Sequence, residues 1–225
     1  MSFLRIDLQV GQQTAFLVPF LILIAIVWSA LVYFSYKKYG ARRTIIYFLP
    51  MIITSLFIES AGVASGRYHY AGYLMYLSVV GGEVPLSIVL AWSANLVLFM
   101  NMGKHMVSRF YTKRNRLQIV AISLIAGTLG ACLDLLEDPI AHHNNWWIWN
   151  GSLAEIRYFD VPILNFIGWF LLLFFMTLAT LLIERSRFTE NRKVLLAITS
   201  ISITGTIVFI VHQAIVRLVG LFGFA

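Results

Sequence analysis

Six apolar runs, each about twenty residues long, limit this chain to an α-helical membrane protein. A helix needs about 20 apolar residues to cross the hydrocarbon core of a bilayer. We place the runs at about 14–36, 44–64, 84–103, 117–136, 161–183 and 194–216. The last run could continue towards Ala225 as a longer or broken helix, which would give seven spans. These runs account for most of the 225 residues, so we expect a single transmembrane domain, 1–225.

The placement of the positive charges predicts the orientation of these spans. The formal net charge of +7 would by itself allow nucleic-acid binding. However, most Lys and Arg residues fall in three short loops, at 37–43, 104–116 and 185–193, after the first, third and fifth runs. Loops rich in Lys and Arg stay in the cytoplasm, so we predict a multi-pass cell-membrane protein with cytoplasmic basic loops and both termini extracytoplasmic. We expect membrane lipids as partners, and no nucleic acid.

Two similar blocks at the starts of the third and fifth spans indicate an internal duplication. EVPLSIVLAW (83–92) and DVPILNFIGW (160–169) align without gaps, with an acid, Val-Pro, an aliphatic residue and Trp nine positions after the acid. Both blocks follow an outward-running span and an aromatic loop. Helix pairs two–three and four–five therefore form a predicted parallel repeat, with halves at about 44–103 and 117–183. Repeat-related halves commonly build a site at their interface.

The duplication brings carboxyl groups to the predicted outer ends of four spans. Acids inside a membrane are costly and usually face a protein interior or a wet cavity. Asp134, Glu137 and Asp138 have i, i+3, i+4 spacing and share one helix face, although Pro139 predicts that the helix ends or kinks there. Glu59 and Asp134 lie at predicted helix C-termini, where burial and the helix dipole both oppose ionisation. These four acids are our catalytic candidates.

Two further acids, Glu83 and Asp160, directly precede Val-Pro at helix starts. An acid at this place can cap free N–H groups and complement the helix dipole, with Pro tolerated in the first turn. Capping is therefore the predicted role of both residues. A place in the acidic site is the alternative.

Aromatic side chains and histidines surround the acids and are candidates for binding a substrate. From the residues alone these candidates are Tyr68, His69, Tyr70, Trp92, His142, Trp146, Trp149 and Trp169. For the tryptophans of 146–149 a membrane-interface belt is the structural alternative, and for the histidines it is a hydrogen-bonded structural role.

Two chemistries fit such a cluster of acids. In the first, neighbouring carboxyl groups share protons, one of them protonates an alkene, aromatic faces stabilise the carbocation and water captures it. In the second, the acids and a His bind a divalent metal that activates water or grips a diphosphate. The basic residues that would hold a diphosphate lie on the opposite side of the membrane, and Cys132 is the only cysteine. We therefore favour the first chemistry and expect no metal and no cofactor.

Ordered motif blocks within about residues 55–175 resemble those of a known family. ESAGVASGRYHY, GGEVPLSIVLAW, DPIA followed by WWIW, and YFDVPILNFIGW are similar to blocks of the CruF-type carotenoid biosynthesis proteins. Members are membrane hydratases that add water across the terminal double bond of acyclic carotenoids, either lycopene-type C40 chains or C50 bisanhydrobacterioruberin. Carried over to this chain, the resemblance supports Glu59, Tyr68, Asp134, Asp138, Trp149, Asn165 and Trp169 as site residues.

The resemblance and the acid cluster together give a functional hypothesis. It is a cofactor-independent hydratase for a carotenoid or polyprenyl end group, with a tertiary alcohol as product and other carotenoid-pathway enzymes as candidate contacts. Glu59 or Asp134 would donate the proton, and Asp138 and Glu137 would tune it or orient water. The alternatives are a lipid or polyprenyl carrier or transporter that binds through the same acids, and a metal-dependent prenyl-lipid enzyme.

Overall fold

The structure, a computed structural model, describes residues 4–6, 17–73, 75–110, 116–150 and 156–221. Five of its helices are long and apolar enough to cross a membrane. In chain order the helices are α1 (Leu17–Ala64), α2 (Leu86–Ser108), α3 (Arg116–His143), α4 (Ile163–Arg185), α5 (Glu190–Leu196) and α6 (Ser202–Leu221). The predicted fold class, an all-α integral membrane protein, is confirmed.

The longest helix, α1, contains the first two predicted spans. Its 48 residues are interrupted at Gly40, whose backbone has φ 79° and ψ 171°, a conformation that glycine adopts without steric cost. Trp28 and Phe48, on either side of this break, have ring centroids 6.1 Å apart, whereas a straight helix would separate them by about 30 Å. The two arms of α1 therefore fold back on each other, so the described residues contain six apolar helical arms that correspond to the six predicted spans.

The last predicted span is one long, irregular helical segment. α5 continues through a π-helical stretch, Ala197–Ile201, directly into α6, which runs to Leu221. Within 190–221 the structure therefore has no break that would divide off a seventh span. The predicted continuation beyond Leu221 lies outside the described residues.

The two aromatic loops form short antiparallel strands. The strands are β1 (Leu4–Ile6), β2 (Tyr68–Tyr70), β3 (Met75–Ser78), β4 (Glu83–Pro85), β5 (Trp147–Trp149), β6 (Arg157–Tyr158) and β7 (Val161–Pro162). They form one three-stranded sheet, β1-β3-β4, and two pairs, β2-β5 and β6-β7. Tyr, Trp and Ile favour extended backbone, which explains why these loops pair instead of coiling.

Structural correspondences accompany the duplicated sequence blocks. α2 and α4 each have 23 residues and each begin after an extended proline, Pro85 (φ −61°, ψ 134°) and Pro162 (φ −60°, ψ 129°). The strands β2 and β5, one from each half, pair with each other around His69 and Ile148. Equivalent segments of the two halves thus meet at their interface, as the parallel repeat predicts. The exact bounds of the halves, 44–103 and 117–183, stay a prediction.

The predicted capping by the acids before Val-Pro is wrong. The N-cap residues are Pro85 and Pro162, and neither helix has a side-chain hydrogen bond at its N-cap. Glu83 lies in β4, paired with Ser78, and Asp160 occupies a turn with φ 64°. The extended Val-Pro unit explains the difference, because two extended residues move the acid about 6–7 Å away from the first free N–H groups.

The bundle has two chemically different ends. At the basic end, where α2 and α4 finish and α5 begins, Lys104 Nζ lies 2.9 Å from Glu184 Oε2 and Lys193 Nζ lies 3.1 Å from Glu190 Oε1. Arg43 Nε extends this cluster, 3.8 Å from Glu190 Oε2. At the opposite end, which we call the acid end, α1 and α3 finish, α2 and α4 begin and the strands lie.

Candidate functional site

A cavity of about 1180 Å³, its open mouth included, lies at the acid end. Its walls come from the ends of α1, α3 and α6, the beginnings of α2 and α4, and the strands β2 and β5. The predicted site residues on its wall are Glu59, Tyr68, Tyr70, Trp92, Glu137, Asp138, Trp149, Asn165 and Trp169. The structure therefore brings together candidates from both halves of the repeat.

Glu59, from α1, is held by three hydrogen-bond donors. Tyr68 and Tyr70 each place a phenolic oxygen 2.6 Å from Glu59 Oε2, and Trp92 Nε1 donates to Oε1 at 2.6 Å. Tyr68 and Tyr70 lie on the same face of β2 because alternate strand residues point the same way. The Glu59 side chain is thus buried, with a relative exposure of 7%, and satisfied at both oxygens.

The phenols around Glu59 remain protonated. Burial raises the pKa of Tyr68 and Tyr70 well above the ordinary value, and the neighbouring Glu59 carboxylate adds to this shift. Because a phenol that keeps its proton can donate a hydrogen bond, both tyrosines can serve as donors to a Glu59 anion.

A glycine makes the hydrogen bond from Tyr68 possible. Gly62 lies one helical turn after Glu59, and a Cβ at this position would overlap the Tyr68 hydroxyl. Any larger residue would therefore push Tyr68 away from Glu59. Small residues, Ser60 to Gly62 and Ala64 to Gly66, follow Glu59 in the sequence, and such a composition permits close approach.

A second set of acids lies on α3 and is organised by one amide from α4. Asn165 Nδ2 donates to Asp134 Oδ2 at 2.9 Å and to Asp138 Oδ2 at 2.8 Å. Trp147 Nε1 lies 3.2 Å from Asp138 Oδ1. An amide nitrogen carries two hydrogens, one for each carboxyl group. The shared amide therefore holds the two carboxyl groups close to each other.

The two aspartates differ in their access to the cavity. Asp138 is on the cavity wall, whereas Asp134, one turn earlier in α3, is completely buried and is not part of that wall. Asp134 Oδ1 has no hydrogen-bond partner among the described residues. Asp134 therefore contacts the cavity only through Asp138 and Asn165.

The prediction was that α3 ends or kinks at Asp138; a helix end there is wrong, because the helix continues to His143 with Pro139 inside it. Proline removes a single hydrogen bond here, and the next turns are held by Asn144 N to Ile140 O (3.0 Å) and Trp146 N to Ala141 O (2.8 Å). The i, i+3, i+4 acids thus share one helix. Asp134 precedes the helix end by nine residues, so the dipole argument, which holds in the last turn only, does not apply to it.

Stacked tryptophans join the two acid sets. Trp92, which donates to Glu59, stacks on Trp169 with ring centroids 3.8 Å apart and an interplanar angle of 23°. Trp169 lies one turn after Asn165 on α4. Tyr68 and Trp149 add a further ring contact, with centroids 4.8 Å apart. Aromatic surface therefore lies beside the carboxyl groups of Glu59 and Asp138.

Several predicted residues lie outside the cavity. His69 is exposed because it points away from Tyr68 and Tyr70 on β2. His142 Nδ1 accepts a hydrogen bond from the Trp149 backbone at 3.3 Å, and Trp146 stacks on Phe20 with centroids 4.9 Å apart. These three residues have structural contacts, and neither they nor Glu83 and Asp160 are on the cavity wall.

Other wall residues were missing from the sequence-based set. They include Arg67, Asn95, Trp147, Arg157, His212 and Gln213. Trp147 could have been found from strand alternation, since it shares a face with Trp149. His212 and Gln213 are polar residues in an apolar span, which is itself a signal.

The described residues contain no group of three or more His, Cys, Asp or Glu side chains arranged to hold a metal ion. Glu59 and Asp138 are instead surrounded by hydrogen-bond donors from Tyr, Trp and Asn side chains. The arrangement is suited to holding and moving protons next to aromatic surface.

Comparison with known proteins agrees with this geometry. Residues 17–223 match a family model described as "Carotenoid biosynthesis protein". No curated protein and no solved structure gives a match to the chain. The matched region includes both acid sets and all the cavity helices.

Proposed function

Because the chain belongs to the family of carotenoid biosynthesis proteins, we propose that it is a membrane-embedded hydratase that adds water to the terminal C=C of an acyclic carotenoid. The family supports a role as an enzyme of carotenoid biosynthesis. Hydration as the reaction, and a lycopene-type C40 or bisanhydrobacterioruberin-type C50 chain as the substrate, are the proposal.

The observation that carries the proposal is a paired acid on the wall of an aromatic cavity. Two buried carboxyl groups that share one amide donor cannot both be charged at low cost. Asp134 and Asp138 are therefore expected to hold one proton between them. Of the two aspartates, only Asp138 borders the cavity. We therefore assign the donation of that proton to Asp138, and Asp134, which is buried away from the cavity, supplies the proton to Asp138.

The proposed reaction adds the elements of water in two steps. The Asp138 proton forms a C–H bond with the less substituted alkene carbon, using the π electrons, and leaves a tertiary cation on the other carbon. A water oxygen then forms the C–O bond and loses one proton. The product is a tertiary alcohol, and the protein is restored once that proton returns to the acid pair.

Two features of the cavity support stabilisation of the cation. The Trp92–Trp169 stack and the neighbouring rings provide π surface, which attracts positive charge. Glu59, held by three donors, provides a fixed negative charge in a water-poor site, where preorganised charge is most effective. Glu59 is in this scheme an electrostatic group rather than the proton donor.

We also propose an orientation. The basic loops would face the cytoplasm and the acid end the extracytoplasmic side, as the distribution of Lys and Arg predicts. Water would then enter the cavity from outside the cell, and the polyene would extend from the cavity into the bilayer.

The test is expression of the chain in cells that accumulate lycopene or bisanhydrobacterioruberin, followed by mass spectrometry of the pigments. The expected result is pigments heavier by one or two waters, absent when Asp138→Asn replaces the natural chain at the same membrane level. Unchanged pigments, with the protein present in the membrane, would contradict the proposal. Unmodified pigment that co-purifies with the protein would instead indicate a carrier.

A further inference from the structure

The cavity has one wall that belongs to neither half of the repeat. α6 contributes Val208, Phe209, His212 and Gln213 to it. The two halves supply acids and aromatic rings, whereas α6 alone places an imidazole on the wall, next to α4. This helix therefore adds an imidazole, a group able to exchange a proton near neutral pH, to a wall whose other basic groups are the guanidinium groups of Arg67 and Arg157.

The hydrogen bond of His212 identifies its neutral tautomer. Its Nε2 lies 2.7 Å from the backbone carbonyl oxygen of Leu164. A carbonyl oxygen only accepts, so Nε2 must carry the hydrogen, and in the neutral ring Nδ1 then holds a lone pair. Among the described residues, Nδ1 has no hydrogen-bond partner. It is thus the ring nitrogen left for a molecule in the cavity.

The first turns of α4 contact both this imidazole and the acid pair. Leu164 accepts the His212 hydrogen bond, and the next residue, Asn165, donates to both aspartates. Gly168 lies one turn further on, where a Cβ would be only 3.2 Å from His212 Nε2. A glycine at this position therefore lets α6 approach α4 closely enough for the contact.

We propose that His212 is the catalytic base for the water that captures the cation, an inference that rests on the proposed hydratase function. As the water oxygen forms its bond to the cationic carbon, one O–H bond breaks and the proton moves to Nδ1. The imidazolium then passes that proton, directly or through water, back to the Asp134–Asp138 pair. The acid pair and His212 thus form the donor and acceptor of one proton cycle.

The experiment uses the full-length chain in membranes that contain the carotenoid substrate, in D₂O. His212→Gln keeps an amide donor for the Leu164 carbonyl but removes the base. The matched control is His143→Gln, an exposed histidine at the end of α3 that lies off the cavity wall. Mass spectrometry follows two quantities, the hydrated product and carbon-bound deuterium in recovered substrate.

The natural chain and His143→Gln should give product with one carbon-bound deuterium. His212→Gln should lose product formation by about 10²-fold, the usual contribution of one acid–base group. Its recovered substrate should nevertheless gain deuterium, because protonation by Asp138 is intact and the uncaptured cation returns a proton. Should His212→Gln fail to accumulate, His212→Ala with added imidazole serves instead, and restored hydration is expected.

Full hydration by His212→Gln would overturn the proposal. So would loss of both product and deuterium exchange, since that pattern places His212 in protonation or in structure. Absence of both signals from the natural chain would instead overturn the hydratase function, and with it the role of His212. If the natural chain hydrates the carotenoid and His212→Gln is fully active, the hydratase function stands and only the proposed role of His212 is refuted.

Discussion

Glu59 and Asp138 occupy equivalent positions in the two halves of the repeat but have different surroundings. Each precedes the central β2–β5 pair, His69 and Ile148, by ten residues. Each accepts a hydrogen bond from the ring residue just before that pair, Tyr68 for Glu59 and Trp147 for Asp138. Beyond this shared plan the two acids diverge.

The difference lies in what completes each site. Glu59 is a single acid with three donors, and no second carboxyl group among the described residues is hydrogen-bonded to it. Asp138 shares the Asn165 amide with a second, fully buried acid, Asp134. Donors alone favour an anion, whereas two adjacent acids favour retention of a proton. The two predicted halves thus place their corresponding acids in different hydrogen-bond environments.

The strongest test of this comparison is removal of either member of the acid pair. Asp138→Asn removes the donor, and Asp134→Asn leaves Asp138 without the acid that shares its proton. We expect either variant to lose about 10³- to 10⁴-fold in hydration while the protein still inserts. The measurement is hydrated pigment relative to membrane-inserted protein.

Full activity of Asp134→Asn would show that the pair does not share the catalytic proton. Full activity of Asp138→Asn would exclude this residue as the donor. Either result would remove the contrast between the two acid sites.

The proposed negative charge of Glu59 is tested with Glu59→Gln. The two tyrosine hydroxyls can rotate to accept from the new amide, so the site keeps its shape but loses its negative charge. We expect about 10²-fold slower hydration, a typical loss for one preorganised electrostatic group. Glu137→Gln is the matched control, because Glu137 borders the same cavity without a hydrogen-bond partner among the described residues. Equal losses in both variants would refute a special role of Glu59.

Gly62→Ala tests whether the geometry around Glu59 depends on the close approach of Tyr68 to Gly62. Gly62 lies seven residues before His69, and the equivalent residue of the other half, seven before Ile148, is Ala141. The Ala141 methyl group is fully buried in the structure. At Gly62 the new methyl group would collide with the Tyr68 hydroxyl, so we expect about 1–3 kcal/mol of destabilisation. The measurement is unfolding of the purified protein in detergent.

A second substitution makes the test of Gly62 specific. Tyr68→Phe removes the hydroxyl, the Tyr68 atom nearest to the new methyl group, although two ring carbons stay close. Gly62→Ala should therefore cost less in that background. Purely additive losses would show that the collision with the hydroxyl is not the cause.

The smallest expected effect concerns the basic end, far from the cavity. Lys104 and Glu184 form an ion pair at 2.9 Å with side chains about a quarter exposed. Lys104→Met should lower stability by about 1 kcal/mol, since partly solvated pairs contribute modestly, and should leave hydration per inserted protein unchanged. A strong loss of hydration would mean that the two ends of the bundle are coupled.

Much of the architecture was predictable because it depends on local pattern. The apolar runs, the basic loops and the duplicated Val-Pro blocks are each contained in short stretches, and the membrane requires long apolar helices wherever they occur. The cluster of Glu59, Asp134, Glu137 and Asp138 followed from the same reasoning, because the spans bring these residues to one end. The structure shows these acids at the acid end, together with Asn165.

Other features could not be derived from local pattern. The strands β2 and β5 pair across 79 residues of sequence separation, and this register decides that Tyr68 faces Glu59 while His69 faces away. The acids before Val-Pro were expected to cap helices, but their distance from the helix start depends on the extended backbone of the next two residues. The role of His212 likewise depends on where α6 packs.

The sequence by itself determined that this protein is helical and suited to a membrane, and it predicted the six spans and the repeat, because hydrophobicity, charge and self-similarity are properties of single segments. Only the tertiary structure decided which acid reaches the cavity and which is hidden behind it. It also decided which acid is held by donors alone and which histidine joins the wall. Those outcomes depend on distances of a few ångströms between side chains from different helices, and hydrogen bonds and proton sharing vary steeply over that range.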